Sequence, residues 1–264
     1  MWEHKHYEEQ TVRTILDDYR EIYENYINND SLDSKMKKLL EVNLKMLSCN
    51  RCPLSKEDSN IFDGRKKGPC FGYGSPHAKV FIIGEAPSYL RKFDDEMCPF
   101  NFKDFQFFGN LKTYVMIGGI LGNVFFEAVK KTNFKYNTDF YVHNLIQCSI
   151  MNNRKPTKEE ILSCIWTLNE EFSILKPMIV VTFGTFVTSI FLSIKSISEV
   201  IGKLYEPSKS ILKYFDHKNF KIFPMHHPNF VYRKMGYMPE YIKEIENLNN
   251  ALNNIEKSSL DYFF

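Results

Sequence analysis

Four short, almost wholly apolar runs punctuate this chain, and helical patterns separate them. Val80-Phe81-Ile82-Ile83 stops at Gly84, Phe140 to Leu145 is the second run, Met178 to Phe183 the third and Phe220 to Phe223 the fourth. Runs of that length with apolar residues at consecutive positions are strands buried on both faces. The intervening stretches have helical spacing, most clearly Lys158 to Leu175 after the start signal Pro156-Thr157. Strands that alternate with helices need crossover connections. The expected fold is therefore α/β, a mostly parallel sheet covered by helices on both faces.

The remaining segments are less regular. Residues 7 to 28 and Asp33 to Leu47 read as two amphipathic helices broken at Asn28-Asn29-Asp30-Ser31, an N-terminal helical extension over 1–47 ahead of a domain over 48–264. From Cys49 to Gly74 the chain is rich in Cys, Pro, Gly and charge and reads as a long loop. Pro177 to Ile194 carries no charge and approaches the length of a membrane span. Gly184 and five hydroxyl residues interrupt it, so it reads as a strand, a turn and an apolar helix, and no membrane association is expected. Met1-Trp2-Glu3-His4-Lys5-His6 lacks the apolar stretch of a signal peptide, so an intracellular, reducing setting is expected. With 44% apolar and 25% charged residues the chain has the make-up of a folded protein, and its net charge of +2 excludes a surface coated in basic residues. Any nucleic-acid surface must be local.

In open parallel sheets ligands bind beyond the carboxyl ends of the strands. Gly84-Glu85-Ala86-Pro87 follows the first strand, Asn144 and Cys148 lie on or just past the second, and His226-His227-Pro228-Asn229 follows the fourth. Each alone has a bland explanation: a helix-capping acid, a satisfied buried amide, a core histidine. A carboxylate, an amide and a histidine converging on one sheet edge suit acid/base chemistry on a polar heterocycle. The cysteines form a second constellation, Cys49-x2-Cys52 before the first strand and Cys148-x15-Cys164 around the second strand's end. Two such pairs supply four thiolates, and spacing alone suits zinc and an iron–sulfur cluster equally. Cys70 and Cys98 fall outside these pairs and read as free thiols.

The order CxxC, Gly84-Glu85-Ala86-Pro87, Asn144-x3-Cys148, Cys164 and His227-Pro228 resembles the iron–sulfur uracil-DNA glycosylases of the family 4 type. The similarity runs from about Cys49 to Arg233 and is densest over Asn144 to Cys148 and Asn153 to Ile161, continuing through Lys176-Pro177, Val180 to Gly184 and His227-Pro228. The resemblance implies a three-layer α/β/α fold with a central four-stranded parallel sheet, and a DNA glycosylase, intracellular and of prokaryotic or phage type, with a structural [4Fe–4S] cluster on Cys49, Cys52, Cys148 and Cys164. No obligate protein partner is evident. Catalysis would fall to Glu85, which positions water and offsets positive charge on the sugar, and to His227, which donates to the base O2. His226 is the rival histidine. Asn144 would bind the Watson–Crick edge, Ser88 would flank the base, and Phe100 would stack on it, with Phe108 the other candidate. Arg154, Lys155 and Arg233 would grip DNA, joined by Lys158 and Lys234, and Phe230 or Val231 would wedge into the opened stack.

Departures from the family pattern fall on the walls of the expected pocket. Ser88 replaces the glycine after Gly-Glu-Ala-Pro, the Pro-Phe-x-Gly-x-Ala-Gly stretch has become Pro99-Phe100-Asn101-Phe102 followed by the aromatic Phe105 to Phe108, and Asn229 stands where the family has serine. Glu85, Asn144 and His227 are intact. The expectation is base excision with altered selectivity, on uracil or on a 5-substituted, even glucosylated, pyrimidine such as phage DNA carries, in DNA repair or antiphage defence. The alternatives are a non-catalytic, metal-stabilised DNA-binding protein and a suicide crosslinker. The second lacks a histidine to attack with in the loop Ser149 to Arg154.

Overall fold

The computed structural model describes residues 32–56, 61–62, 65–66, 69–87 and 119–260, together with residue 28. Within these, α1 is Ser34–Leu47, a short hairpin pairs β1 (Ile61–Phe62) with β2 (Arg65–Lys66), and β3 is Tyr73–Gly74. Then follow β4 (Val80–Gly84), α2 (Gly119–Val129), α3 (Tyr136–Asp139), β5 (Phe140–Asn144), α4 (Lys158–Leu175), β6 (Ile179–Phe183) and α5 (Gly184–Leu192). The chain closes with α6 (Lys209–Leu212), β7 (Lys221–Met225), α7 (Pro228–Arg233) and α8 (Met238–Leu260).

The main sheet has the order β3-β5-β4-β6-β7. The four apolar runs form its parallel part, β5 and β6 flanking β4 and β7 beyond β6. The expected four-stranded parallel sheet is thus present, with one short antiparallel strand added beside β5. That strand came from the stretch read as loop. Two residues are too few to show a period, and Gly74 has φ +136°, where a Cβ would stand 2.2 Å from the Phe140 carbonyl oxygen. The far edge is β7, which tolerates Pro224 because it has no further parallel neighbour to donate to. Tyr205 covers that edge by exchanging both backbone bonds with Ile222 at 2.9 and 2.8 Å.

Consecutive strand residues face opposite layers, and both layers are apolar. Val80, Ile82, Val142, Val181 and Phe223 pack with Phe125 of α2 and Tyr241, Ile245 and Leu248 of α8. Phe81, Ile83, Val180 and Ile222 pack with Leu168 and Phe172 of α4 and with Val187 and Phe191 of α5. Double-sided burial is why these runs lack polar alternation. The uncharged stretch from Pro177 resolves into β6, a turn and α5, and no helix among the described residues is long and apolar enough to cross a membrane.

Helix α1 forms a further layer outside α4. Asp33 caps it, accepting from the Lys35 and Met36 amides at 2.9 and 3.1 Å. Met36, Leu40 and Met46 pack with Phe71, against Trp166 and Ile174 of α4. The helix expected over residues 7–28 falls outside the described residues apart from Asn28.

One polar network lies wholly inside. His143 and Glu171, both with fully buried side chains, meet at 2.6 Å, and Tyr141 donates to the same carboxylate at 3.0 Å. The other ring nitrogen of His143 donates to the Cys70 carbonyl at 3.2 Å, so β5, α4 and the segment ahead of β3 share one proton-bearing knot. His143→Ala should therefore destabilise the fold by about 3–5 kcal/mol, because it strands the Glu171 carboxylate. Denaturant titration checks this, and a loss below about 1 kcal/mol would show that the network carries no charge.

Candidate active site

The strand order reverses direction at β4: the chain passes from β4 to β5 on one side and then to β6 on the other. A crevice opens at such a switch point, beyond the carboxyl ends of the strands. Parallel pairing sets Gly84 opposite Asn144. The hydrogen bonds continue past the strands, Leu145 N–H to the Gly84 carbonyl at 2.8 Å and Ile146 N–H to the Glu85 carbonyl at 3.0 Å. Glu85 and Asn144 are therefore held side by side by backbone alone.

Asn144 is 2% exposed, and its Nδ2 finds no hydrogen-bond partner among the described residues. A buried donor left unpaired is costly, and where it lines a crevice it marks a ligand's place. Its backbone is steadied by Gln147, whose Nε2 donates to the Asn144 carbonyl at 2.9 Å.

His227 stands at the opposite side of the crevice, three strand spacings or roughly 14 Å of sheet from Asn144. It is the N-cap of α7, and its Nδ1 accepts from the Asn229 amide at 3.1 Å. That bond places the ring proton on Nε2, the atom free to donate. Burial, and then the nearby Lys155 charge, push the His227 pKa down to about 4, so the ring is neutral at physiological pH. Gly184, at φ +79°, turns the chain from β6 into α5 next to it, and a Cβ there would lie 3.5 Å from the His227 Cβ. His226, the rival, faces away: Glu244 holds its Nδ1 at 2.6 Å and its backbone amide at 3.1 Å.

The loop before α4 brings in two basic residues. A capping box links Thr157 and Glu160, and Glu160 also receives both guanidinium arms of Arg154 at 2.9 and 2.6 Å. Arg154 and Thr157 together hold the Glu160 carboxyl below its usual range, the Arg154 hydrogen bond foremost. Lys155, between these anchors, reaches the Glu85 carboxylate at 2.5 Å and lies 4.8 Å from the centre of the Phe186 ring. Arg154 and Lys155 were expected on phosphates. In the structure each engages a carboxylate, an internal use that sequence spacing does not reveal because the Lys155–Glu85 contact spans 70 residues.

The expected wedge is also placed differently. Phe230 stacks on His226 at 4.4 Å and 15°, and meets Tyr237 edge-on at 5.2 Å. Val231 is 1% exposed, whereas Tyr232, one residue further on α7, is 44% exposed. The reason is helical geometry: Pro228 starts α7 at once, and successive residues rotate by about 100°. Arg233 ends that helix and is exposed. Ser88, Phe100 and Phe108 lie outside the described residues.

Cys49, Cys52, Cys148 and Cys164 line a single apolar cavity, closed by Met46, Leu47 and Trp166. The Cys164 thiol donates to Cys52, which pulls Cys52 down to about 6 and pushes Cys164 up. Cys70 is set apart, its amide bonded to the Gln147 carbonyl at 2.8 Å. Among the described residues no three metal-binding side chains stand at single-ion spacing. The four thiols are a donor set that could hold a thiolate-ligated metal group, in an apolar cavity between α1, the segment after β5, and α4.

The model of the uracil DNA glycosylase superfamily matches residues 71–252, which spans the sheet and every residue of the crevice named above. The chain belongs to the uracil DNA glycosylase superfamily. It is similar to the type-4 uracil-DNA glycosylase of Archaeoglobus fulgidus, with 24% identity over 232 residues, 86% of this chain and all of that enzyme. The type-4 enzyme of Sulfurisphaera tokodaii is 27% identical over 198 residues, 73% of this chain and 75% of the enzyme. A DNA polymerase of Bacillus phage SP01 is 26% identical over 184 residues, covering 70% of this chain and 17% of the polymerase. Within the superfamily its likeness is to type-4 enzymes, at 24% and 27% identity.

The lowered His227 pKa carries a sign. Its folded value, about 4, lies below the ordinary 6.5, so between those values the unfolded chain binds more protons. His227 thus adds nothing against unfolding at neutral pH and costs stability as pH falls from 6.5 toward 4. For function, kcat/KM should stay level through the ordinary imidazole range and fall only as pH nears 4. An inflection near 6.5 that vanishes in His227→Gln would contradict the neutral assignment.

Proposed function

We propose that this protein is a DNA glycosylase that turns a pyrimidine out of DNA and hydrolyses its N-glycosidic bond, leaving an abasic site. The observation that carries the reading is the buried Asn144 Nδ2, without a partner among the described residues, on the same sheet edge as Glu85 and a neutral, Nε2-protonated His227. Breaking the bond leaves positive charge on the sugar and negative charge on the base. A neutral imidazole suits the charge on the base, because it donates from Nε2 to the base O2 as that charge gathers. The Glu85 carboxylate orients water and offsets the sugar's charge. Asn144 reads the base edge, and since a side-chain amide can flip, it accommodates a uracil or a cytosine pattern. Unstacking the base costs a few kcal/mol. Tyr232 and Arg233, exposed on α7 beside His227, are the residues that meet the duplex there.

The cysteine cavity holds a [4Fe–4S] cluster on Cys49, Cys52, Cys148 and Cys164 in this reading. Four thiols lining one apolar cavity supply the all-cysteine donor set that such a cluster takes. The cluster would supply crosslinking, tying α1 and the Cys49–Cys52 segment to the chain between β5 and α4. Loss of one ligand, as in Cys148→Ala, should remove iron and its absorbance near 400 nm together with solubility, whereas Cys70→Ala should keep all three. Stoichiometric zinc without iron would overturn the cluster but not the site.

The substrate is the open dimension of the reading. Ser88 and residues 99–109 depart from the family pattern while the reacting residues are intact, which favours a pocket admitting a pyrimidine larger than uracil, including the 5-substituted bases of phage DNA. Glu85→Gln and His227→Ala should each lower base release by about 10²-fold or more while DNA binding persists. Parallel assays on uracil-containing, 5-hydroxymethylated and glucosylated DNA decide the base. Rapid release of uracil alone would assign ordinary uracil repair, and near-normal turnover in both variants would remove the catalytic assignment.

A further inference from the structure

Lys155 is anchored in a way that serves no purpose for a surface lysine. The residue before it, Arg154, is clamped to Glu160 by two bonds, and the residue after it, Pro156, is buried. Thr157 then starts α4 through a two-way capping box. A loop pinned on both sides of one residue presents that residue in a fixed direction. Here the direction is toward Glu85, with the Phe186 ring of α5 beneath the ammonium. Lys155 is also 64% exposed and Glu85 only 26%, so the pair contributes little to stability as a surface ion pair. Its consequence is electrostatic, and it falls on both residues assigned to the reaction.

We propose that Lys155 is a positioning residue for base release, fixing the Glu85 carboxylate in direction and setting a permanent positive charge beside His227. This inference rests on the glycosylase reading for its kinetic part. Of the charged groups at this edge among the described residues, Lys155 bears on His227, Glu85 is paired to Lys155, and Glu244 of α8 is engaged by His226 and Tyr237. Lys234, at the end of α7, lies over Phe230, and Arg233 is exposed. Removal of the Lys155 charge leaves His227 with burial alone to keep it neutral and leaves Glu85 free to swing. A lysine that gripped DNA phosphate would do neither; it would add to affinity and to salt dependence.

The test has a part that needs no substrate. The His227 ring is titrated by nuclear magnetic resonance in the intact protein and in Lys155→Met, with His227→Gln identifying the signal. The midpoint should rise from about 4 toward the ordinary imidazole value in Lys155→Met and return in Lys155→Arg. An unmoved midpoint overturns the proposal, whether or not the protein releases bases. On the base that the intact protein excises, Lys155→Met should lower kcat by about tenfold or more with KM within about twofold, and Lys155→Arg should recover most of it. In a Glu85→Gln background the same change should cost almost nothing, since the partner is gone. A rise in KM with kcat unchanged, persisting in Glu85→Gln, would make Lys155 a phosphate contact instead. Absence of base release from every DNA tried would defeat the glycosylase reading and leave the titration to judge the contact.

Discussion

The parallel pairing of β4 with β5 is the constraint on which everything else at this site depends. Its register sets Gly84 against Asn144, and its hydrogen-bond ladder runs on past the strands into Leu145 and Ile146. A carboxylate and an amide 59 positions apart in the chain become neighbours without any side-chain contact between them. The same run of backbone then delivers Cys148 to the cysteine cavity. A slip of one residue would exchange the two faces of β5, putting His143 outside its network with Glu171 and turning Asn144 out of the crevice. Reaction geometry and fold stability therefore rest on one register.

Helix α4 carries a second set of linked duties. Its N-terminal capping box and the Arg154–Glu160 clamp shape the loop that holds Lys155 against Glu85. Its middle supplies Cys164 to the cavity and Glu171 to the buried network, and its outer side carries Trp166 against α1. A disturbance at the cysteines is thus expected to reach the loop that holds Lys155 against Glu85.

The crevice is built for a neutral hydrogen-bond donor rather than a charged one. His227 could not accept the Asn229 amide at Nδ1 if it were doubly protonated, and the Lys155 charge opposes that protonation further. In the proposed reaction the Glu85 carboxylate would face the sugar's positive charge and the imidazole would be a dipole aimed at developing negative charge. A dipole fixed before the reaction needs no reorganisation when charge moves, as electrostatic catalysis requires.

Much of this was legible in the amino-acid order. Runs apolar on both faces require a covered parallel sheet, and a parallel sheet collects ligand-binding residues at strand ends; that logic put Glu85, Asn144 and His227 at strand ends, and the cysteine spacing paired the four thiols that share one cavity. Tertiary structure alone decided what long-range contacts decide. Lys155 is basic and adjoins a proline, which in sequence suits a phosphate contact, yet it meets a carboxylate 70 residues away. Phe230 looks free in sequence and is stacked on His226, while Tyr232 takes the exposed position. The strand at Tyr73–Gly74 is too short to show a period and exists because glycine permits the approach to Phe140. Local periodicity reports which face a residue turns to the core, because that face is set by the residue's own backbone. Which partner it meets there depends on the register and rotation of elements distant in the chain, and those are fixed only when the layers pack.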